Sequence, residues 1–272
     1  MNPRRIADGK RYPIFAIMSM TEDEDLRAEL RAIYYTLNGI GYKIQIGVYK
    51  QVKAYFANKG YYDRPGSYQD YLYDSLQRRY LDELIFQIMQ GADSIDDMAR
   101  IAINIVQRIP YDDIKVRYDL RYDPECPIRF PYEVIYDNKG ICSEKSLLLA
   151  FLLKELGLGV ALFRFDEENH MTVGIKCPPE YGYRHTEYAF VETTGVNLVT
   201  DDQIYYVNSK QYGFPFIQLK SIPELIPICD GASFEGVYQE WFDTRDLHSY
   251  QKNSASYYHI ARYIEISRKY GL

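Results

Sequence analysis

The chain has 272 residues, 47% hydrophobic and 26% charged, with a formal net charge of −6, the make-up of a globular protein rather than a disordered one. No Lys/Arg cluster supplies the phosphate-neutralising track of a nucleic-acid binder, and no apolar run approaches the roughly 18 residues of a membrane span. The four cysteines, at 126, 142, 177 and 229, form neither a CxxC pair nor a disulfide ladder.

Residues 1–21 read as an irregular start. The short apolar run at 12–18 turns acidic at once, too soon for a signal peptide, so the expected compartment is the cytoplasm. Residues 23–37 fit a helix, with Thr21 as cap and Glu24 in the capping-box position. Gly39-Ile40-Gly41 breaks it, and residues 44–58 are expected to form a second helix. Residues 59–66, rich in Gly, Asp and Pro, read as a linker. Residues 68–89 suggest one long helix, with Leu72, Leu76, Tyr80, Leu84 and Ile88 or Met89 on one face. Residues 1–90 are therefore expected to be a mainly helical N-terminal region, and residues 91–272 a second unit. Ser94 caps a helix at 95–109, Asp96 and Asp97 suit its positive end, and Pro110 terminates it. Residues 111–138, with Pro124, Pro127 and Pro131, suggest a long loop reaching the site.

A cysteine then opens a strongly apolar helix. Gly140-Ile141-Cys142-Ser143-Glu144 leads into a run of leucines ending at Leu156, and Gly157 is the expected C′ residue. At a helix start, free N–H groups and the dipole favour thiolate over thiol. The same N–H groups can hold an oxyanion. The ordinary alternative is a cysteine serving as a small core hydrophobe.

Residues 160–165 read as a strand, 166–169 as a turn, and 170–175 as the return strand of a hairpin with His170 at its mouth. A third strand runs from Tyr188 to Glu192 and stops at Thr193-Thr194-Gly195. A histidine and an acid on neighbouring strands can pair, the acid fixing the ring tautomer and leaving the other nitrogen for the cysteine. His170 is preferred over His185, which lies in a Pro-, Gly- and Tyr-rich loop at 177–187. Each has a plain reading as well: His170 as a polar hairpin residue, Glu192 as a solvated strand end. A zinc site from Cys142, His170, Cys177 and His185 would lack the short ligand spacing that structural zinc uses. Beyond Glu192, residues 203–208 suggest a strand and 222–227 an irregular segment. Trp241 reads as a packing anchor. Residues 256–270 suggest a closing helix with Ile260, Tyr263, Ile264 and Ser267 inward. The 29 tyrosines are scattered evenly, which argues against a stacking platform.

Taken together, residues 94–194 resemble the transglutaminase-like cysteine protein superfamily. The pieces are the helix before Pro110-Tyr111-Asp112, then Gly140-Ile141-Cys142, then Leu152-Leu153-Lys154-Glu155-Leu156-Gly157, then His170 and Glu192-Thr193-Thr194. The resemblance implies an α+β, papain-like core whose nucleophile helix packs on an antiparallel sheet. It places Cys142 as nucleophile, His170 as base and Glu192 as acid. Glu192 stands where the family usually has aspartate, no tryptophan follows His170, and residues 177–187 look like an insertion. Some members of the superfamily are binding modules that have lost one of the three residues; here all three are chemically competent.

The expected activity is a cysteine hydrolase that cleaves an amide, peptide or isopeptide bond through a thioester, without cofactor or metal. Its substrate would be a peptide, protein or glycopeptide. The alternatives are protein-glutamine acyl transfer (crosslinking) and a non-catalytic peptide-binding module. No calcium-loop motif is visible. Tyr136 and Gln107 are candidates for a second oxyanion donor beside the Cys142 N–H.

Overall fold

The computed structural model describes residues 27–62, 66–119, 126–204, 217–252 and 257–272. A hairpin, not a helix, comes first: β1 (Glu29–Leu37) pairs antiparallel with β2 (Ile40–Val48). The turn is Asn38-Gly39, both at positive φ (52° and 79°), the type I′ geometry that this dipeptide favours. Ile33, Tyr35, Ile44, Ile46 and Val48 are buried in alternation, so the period is two and not 3.6. The expected helix at 23–37 is thereby corrected; its cap residues Thr21 and Glu24 lie outside the described residues. The helix expected at 44–58 splits near Tyr49 into the end of β2 and α1 (Lys50–Tyr62).

The long helix expected at 68–89 is also two. The pieces are α2 (Tyr68–Leu72) and α3 (Ser75–Gln90). Asp74 makes the break by capping α3, accepting from the N–H groups of Leu76 and Gln77 at 2.9 Å each. Ile88 turns inward and Met89 outward. Helix α4 (Ile95–Arg108) begins as expected, the Asp97 N–H donating to Ser94 Oγ at 3.1 Å. Among its described residues the N-terminal region thus carries a hairpin beside three helices. Its hairpin packs on α3 and α4.

The interval 111–138 is not all loop. One π-helical turn spans Lys115–Asp119, and α5 spans Pro131–Asp137. Pro131 occupies the first turn of α5, where a proline costs no hydrogen bond. It is therefore a helix start rather than a breaker.

Helix α6 (Cys142–Glu155) is the centre of the molecule. Leu147 to Leu153 are all buried, because α4, α5 and the sheet cover it from several sides. Gly157, at φ +86°, closes the helix, and the Leu158 N–H returns to Leu153 O at 3.0 Å, the Schellman pattern. Leu149→Ala is expected to cost about 2–5 kcal/mol, read from the shift of a urea unfolding curve.

The sheet against α6 is antiparallel, in the order β5-β4-β3-β8. Its strands are β3 (Val160–Phe165), β4 (His170–Lys176), β5 (Tyr188–Val191) and β8 (Glu224–Cys229). Two-residue strands β6 (Gln203–Ile204) and β7 (Ile217–Gln218) pair apart from it. The β3–β4 hairpin has the expected register, Phe165 opposite His170. Met171, Val173 and Ile175 join the main core, while Ala161, Phe163, Phe165 and Phe190 build a second, aromatic cluster. Both faces are covered, so the strands read as continuous apolar runs. The segment expected to be irregular at 222–227 is largely β8. It tolerates Pro227 because it is an edge strand, and its register with β3 shifts at Val160/Ala161. Residues 205–208 of the expected strand lie outside the described residues.

Helices α7 (Val237–Lys252) and α8 (Tyr257–Tyr270) end the chain. Trp241 packs on Tyr181 and Phe242, with Arg245 over its ring. The inward face of α8 differs from expectation. Ile266 is buried, whereas Ile260, Tyr263 and Ile264 are exposed. Arg262, Lys269 and Tyr270 all engage Asp243 of α7, and this polar stripe orients the helix. Among the described residues, no helix is long and apolar enough to cross a membrane. The whole is a mixed α+β fold with helices packed against an antiparallel sheet, consistent with a transglutaminase-like arrangement.

Candidate active site

Cys142, His170 and Glu192 come together where the start of α6 meets the mouths of β4 and β5. His170 opens β4 and Glu192 directly follows β5, its sheet neighbour. The His170 Nε2–H donates to Glu192 Oε2 at 3.0 Å, both side chains being buried. Nδ1 is then the ring nitrogen left free, and the imidazole lies close enough to Cys142 to pull its thiol down. Phe165, opposite His170 in the hairpin, packs against the ring. The other nearby acids are committed elsewhere. Asp166 pairs with Arg164, and Glu168 accepts from the Lys220 and Ser221 N–H groups at 2.8 and 3.0 Å. His185 sits exposed in a 3-10 turn.

Glu192 is saturated. Its Oε1 accepts from the Thr193 N–H at 2.9 Å, the Thr194 N–H at 2.7 Å and the Thr194 hydroxyl at 2.6 Å. Burial pushes this carboxyl up, but the His170 charge and these donors hold it well below its ordinary value. Burial pulls His170 down, yet Glu192 and Cys142 leave it raised overall. For Cys142, burial raises the thiol, while His170 and the Met171 backbone N–H lower it further, so the net shift is downward. The three shifts share one sense: they favour a thiolate–imidazolium pair beside a carboxylate.

The α6 N-terminus carries no side-chain cap of its own, so the first-turn N–H groups remain available beside the sulfur. Glu144 reaches back to accept from the Ile141 N–H at 3.0 Å. The Ser146 hydroxyl donates to Met171 O at 3.0 Å and lies 3.1 Å from the Thr193 hydroxyl. That contact ties the start of α6 to β4 and to the Glu192 turn.

A cleft of about 600 Å³ opens over Cys142 and His170. Tyr111, Val116, Cys126 and Ile128 form one wall. The β3–β4 turn forms the other, with Phe165, Asp166 and Glu168. The first wall is fastened to α6 by ions. Buried Glu144 accepts from Lys115 Nζ at 2.6 Å, the Arg129 N–H at 2.9 Å and Arg129 Nη1 at 3.0 Å. Arg129 also bridges to Asp112 at 2.9 Å and Asp137 at 3.2 Å. Glu144→Gln leaves two cations short of their counter-charge and is expected to cost about 3 kcal/mol in urea unfolding. These acids and bases were not singled out in the sequence. The capping-box position of Glu144, three residues past the N-cap, was the available signal.

The two candidate oxyanion donors are placed elsewhere. Gln107 Nε2 donates to the backbone oxygens of Glu192 and Asn197, both at 2.9 Å. The Tyr136 hydroxyl donates to Glu29 at 2.9 Å. Both are structural, and Gln107 braces the Glu192 turn from behind.

No family model matches the chain, and no curated protein does. Solved structures similar to it include the following two. Legionella pneumophila LapG is 13% identical with a TM-score of 0.30, over 54% of this chain and 90% of that one. A structure described as a TGase is 16% identical with a TM-score of 0.31, over 84% of this chain and 61% of that one. Likenesses at such TM-scores define no family, and the functional reading stands on the residues and their geometry.

Proposed function

We propose that the chain is a cysteine hydrolase acting on an amide, peptide or isopeptide bond through a thioester. One observation carries this reading: Glu192 holds His170 through Nε2, which leaves Nδ1 free to serve a thiol at an uncapped helix start. The Cys142 thiolate attacks the carbonyl carbon, and first-turn N–H groups of α6 take the oxyanion. As the C–N bond breaks, the His170 imidazolium gives its proton to the departing amine. Neutral His170 then accepts a proton from water, whose oxygen attacks the thioester. The C–S bond then breaks, the acid leaves, and the thiolate–imidazolium pair is restored. Replacing water by an amine in the last step makes the same site an acyltransferase.

The test is acyl capture. The protein is incubated with a peptide thioester and mapped by mass spectrometry. The expected result is one acyl group on Cys142 that decays in water and is absent from His170→Ala. Decay in water alone supports hydrolysis, whereas trapping on an added amine supports transfer. Acylation spread evenly over Cys126, Cys142, Cys177 and Cys229 contradicts both and favours a non-catalytic module.

A further inference from the structure

Lys145 lies three residues past Cys142 on α6 and is wholly buried. Its Nζ donates to three backbone carbonyls: Ile109 at 2.6 Å, Gln107 at 3.3 Å and Thr194 at 3.3 Å. An ammonium has three N–H donors and no acceptor, so three carbonyls satisfy the charged form completely. An aliphatic residue would fill this place among leucines without the cost of a buried charge. The position of the third carbonyl explains what the charge does. Thr194 gives its N–H and its hydroxyl to Glu192 Oε1, and Lys145 holds the carbonyl of the same residue. The Glu192 turn is thus gripped from the helix side by Lys145 and from the α4 side by Gln107.

We propose that Lys145 is a positioning residue of this site. Its ammonium holds the carbonyl of Thr194, the residue whose N–H and hydroxyl orient Glu192, and its charge favours the ionised forms of Glu192 and Cys142. The proposal rests on the cysteine-nucleophile reading above. The charged groups facing Lys145 are Glu192, beyond the end of β5, and Cys142 on its own helix. From β4, His170 is bonded to Glu192 and lowers the Cys142 thiol. Helix α4 and its end offer only the Gln107 and Ile109 carbonyls, because Arg108 turns away to Asn104, Thr36 and Gly271. Glu144, next to Lys145, is committed to Lys115 and Arg129. Burial lowers Lys145 to about 7 even though Glu192 and Cys142 pull it upward. The coupling is reciprocal, so whatever those groups add to the lysine is taken from their own pKa values.

Two experiments on the full chain decide it. The first is an NMR titration of Lys145 Nζ in the wild type, Glu192→Gln and Cys142→Ala. Lys145 is expected to titrate below an ordinary lysine and to fall by about a further unit or more in Glu192→Gln. An unchanged Lys145 titration in both variants overturns the proposal, and this arm needs no substitution at Lys145. The second is the pH profile of Cys142 alkylation by iodoacetamide in Lys145→Met. Its acid limb is expected to move up by about one unit relative to the wild type. A rate lowered equally at every pH, with the limb in place, makes Lys145 merely structural and overturns the proposal. The same holds for a wild-type profile retained in the methionine variant, which leaves the nucleophile reading intact. A wild-type Cys142 that alkylates like a free thiol removes both.

Discussion

Cys142→Ala is expected to abolish turnover and leave the protein folded. The sulfur is the only atom the mechanism asks to bond covalently with substrate, so no neighbour replaces it. The loss should be at least about a thousandfold, the scale seen when the nucleophile of such a unit is removed. The fold should survive because alanine is the best helix former and Cys142 is only partly buried at the first position of α6. Neither the Glu144 bond to the Ile141 N–H nor the Ser146 bond to β4 uses the sulfur. Substrate should still bind, since the helix N–H groups and the cleft walls remain. Cys142→Ser should also lose most activity, because a hydroxyl is far harder to ionise. Turnover of the purified alanine variant on an identified acyl substrate, beside its thermal unfolding curve, checks both halves. Wild-type turnover in that variant would remove Cys142 from the chemistry.

Glu192→Gln is expected to lower turnover by about a thousandfold or more while changing KM little. The reason is local. Three donors converge on Oε1, the Thr193 and Thr194 N–H groups and the Thr194 hydroxyl, so the amide oxygen of glutamine must take that side. Its NH₂ then faces His170 Nε2 and donates to it. The ring responds by carrying its proton on Nδ1, the nitrogen that has to receive the thiol proton. The substitution thus reverses the tautomer and removes the charge that stabilises imidazolium. Glu192→Asp is the finer test. Aspartate is one methylene shorter and cannot serve the threonine turn and His170 together, so turnover should fall although the charge is kept. Full activity in Glu192→Asp would mean that the site is not built around the longer side chain.

The grouping of Cys142, His170 and Glu192 was more legible in the sequence than the architecture around it. Cys142, His170 and Glu192 could be ordered because each sits at an element boundary marked by glycine, a turn or a threonine pair. The β3–β4 hairpin and the cap of α4 were legible for the same reason. The N-terminal hairpin was misread because Glu29, Leu30 and Arg31 favour a helix, and that preference outweighed the Asn38-Gly39 turn signal. Pro131 and Pro227 were read as breakers, yet one starts a helix and the other lies on an edge strand; only the fold distinguishes these roles. The Lys145 and Glu144 networks escaped because their partners are backbone carbonyls and residues 15–49 positions away. Helix α8 was turned the wrong way because apolar residues chose one face and the charges meeting Asp243 chose another.

The central claim is that His170 activates Cys142. The rate of Cys142 alkylation from pH 4 to 9, resolved by peptide mass spectrometry, tests it most directly. Buried Cys177, pushed up to about 12, and Cys229, also raised by burial, serve as internal references. Sign and window follow from the shifts at the site. Cys142 is lowered and His170 raised, so the thiolate–imidazolium pair should be populated from below the ordinary thiol range until His170 loses its proton. Cys142 is therefore expected to react first among the cysteines, with its acid limb below that of a free thiol. In His170→Ala the limb should move up, because the strongest influence opposing burial is then lost. A Cys142 that reacts no faster than Cys177 and Cys229, or a profile unchanged in His170→Ala, would contradict the account.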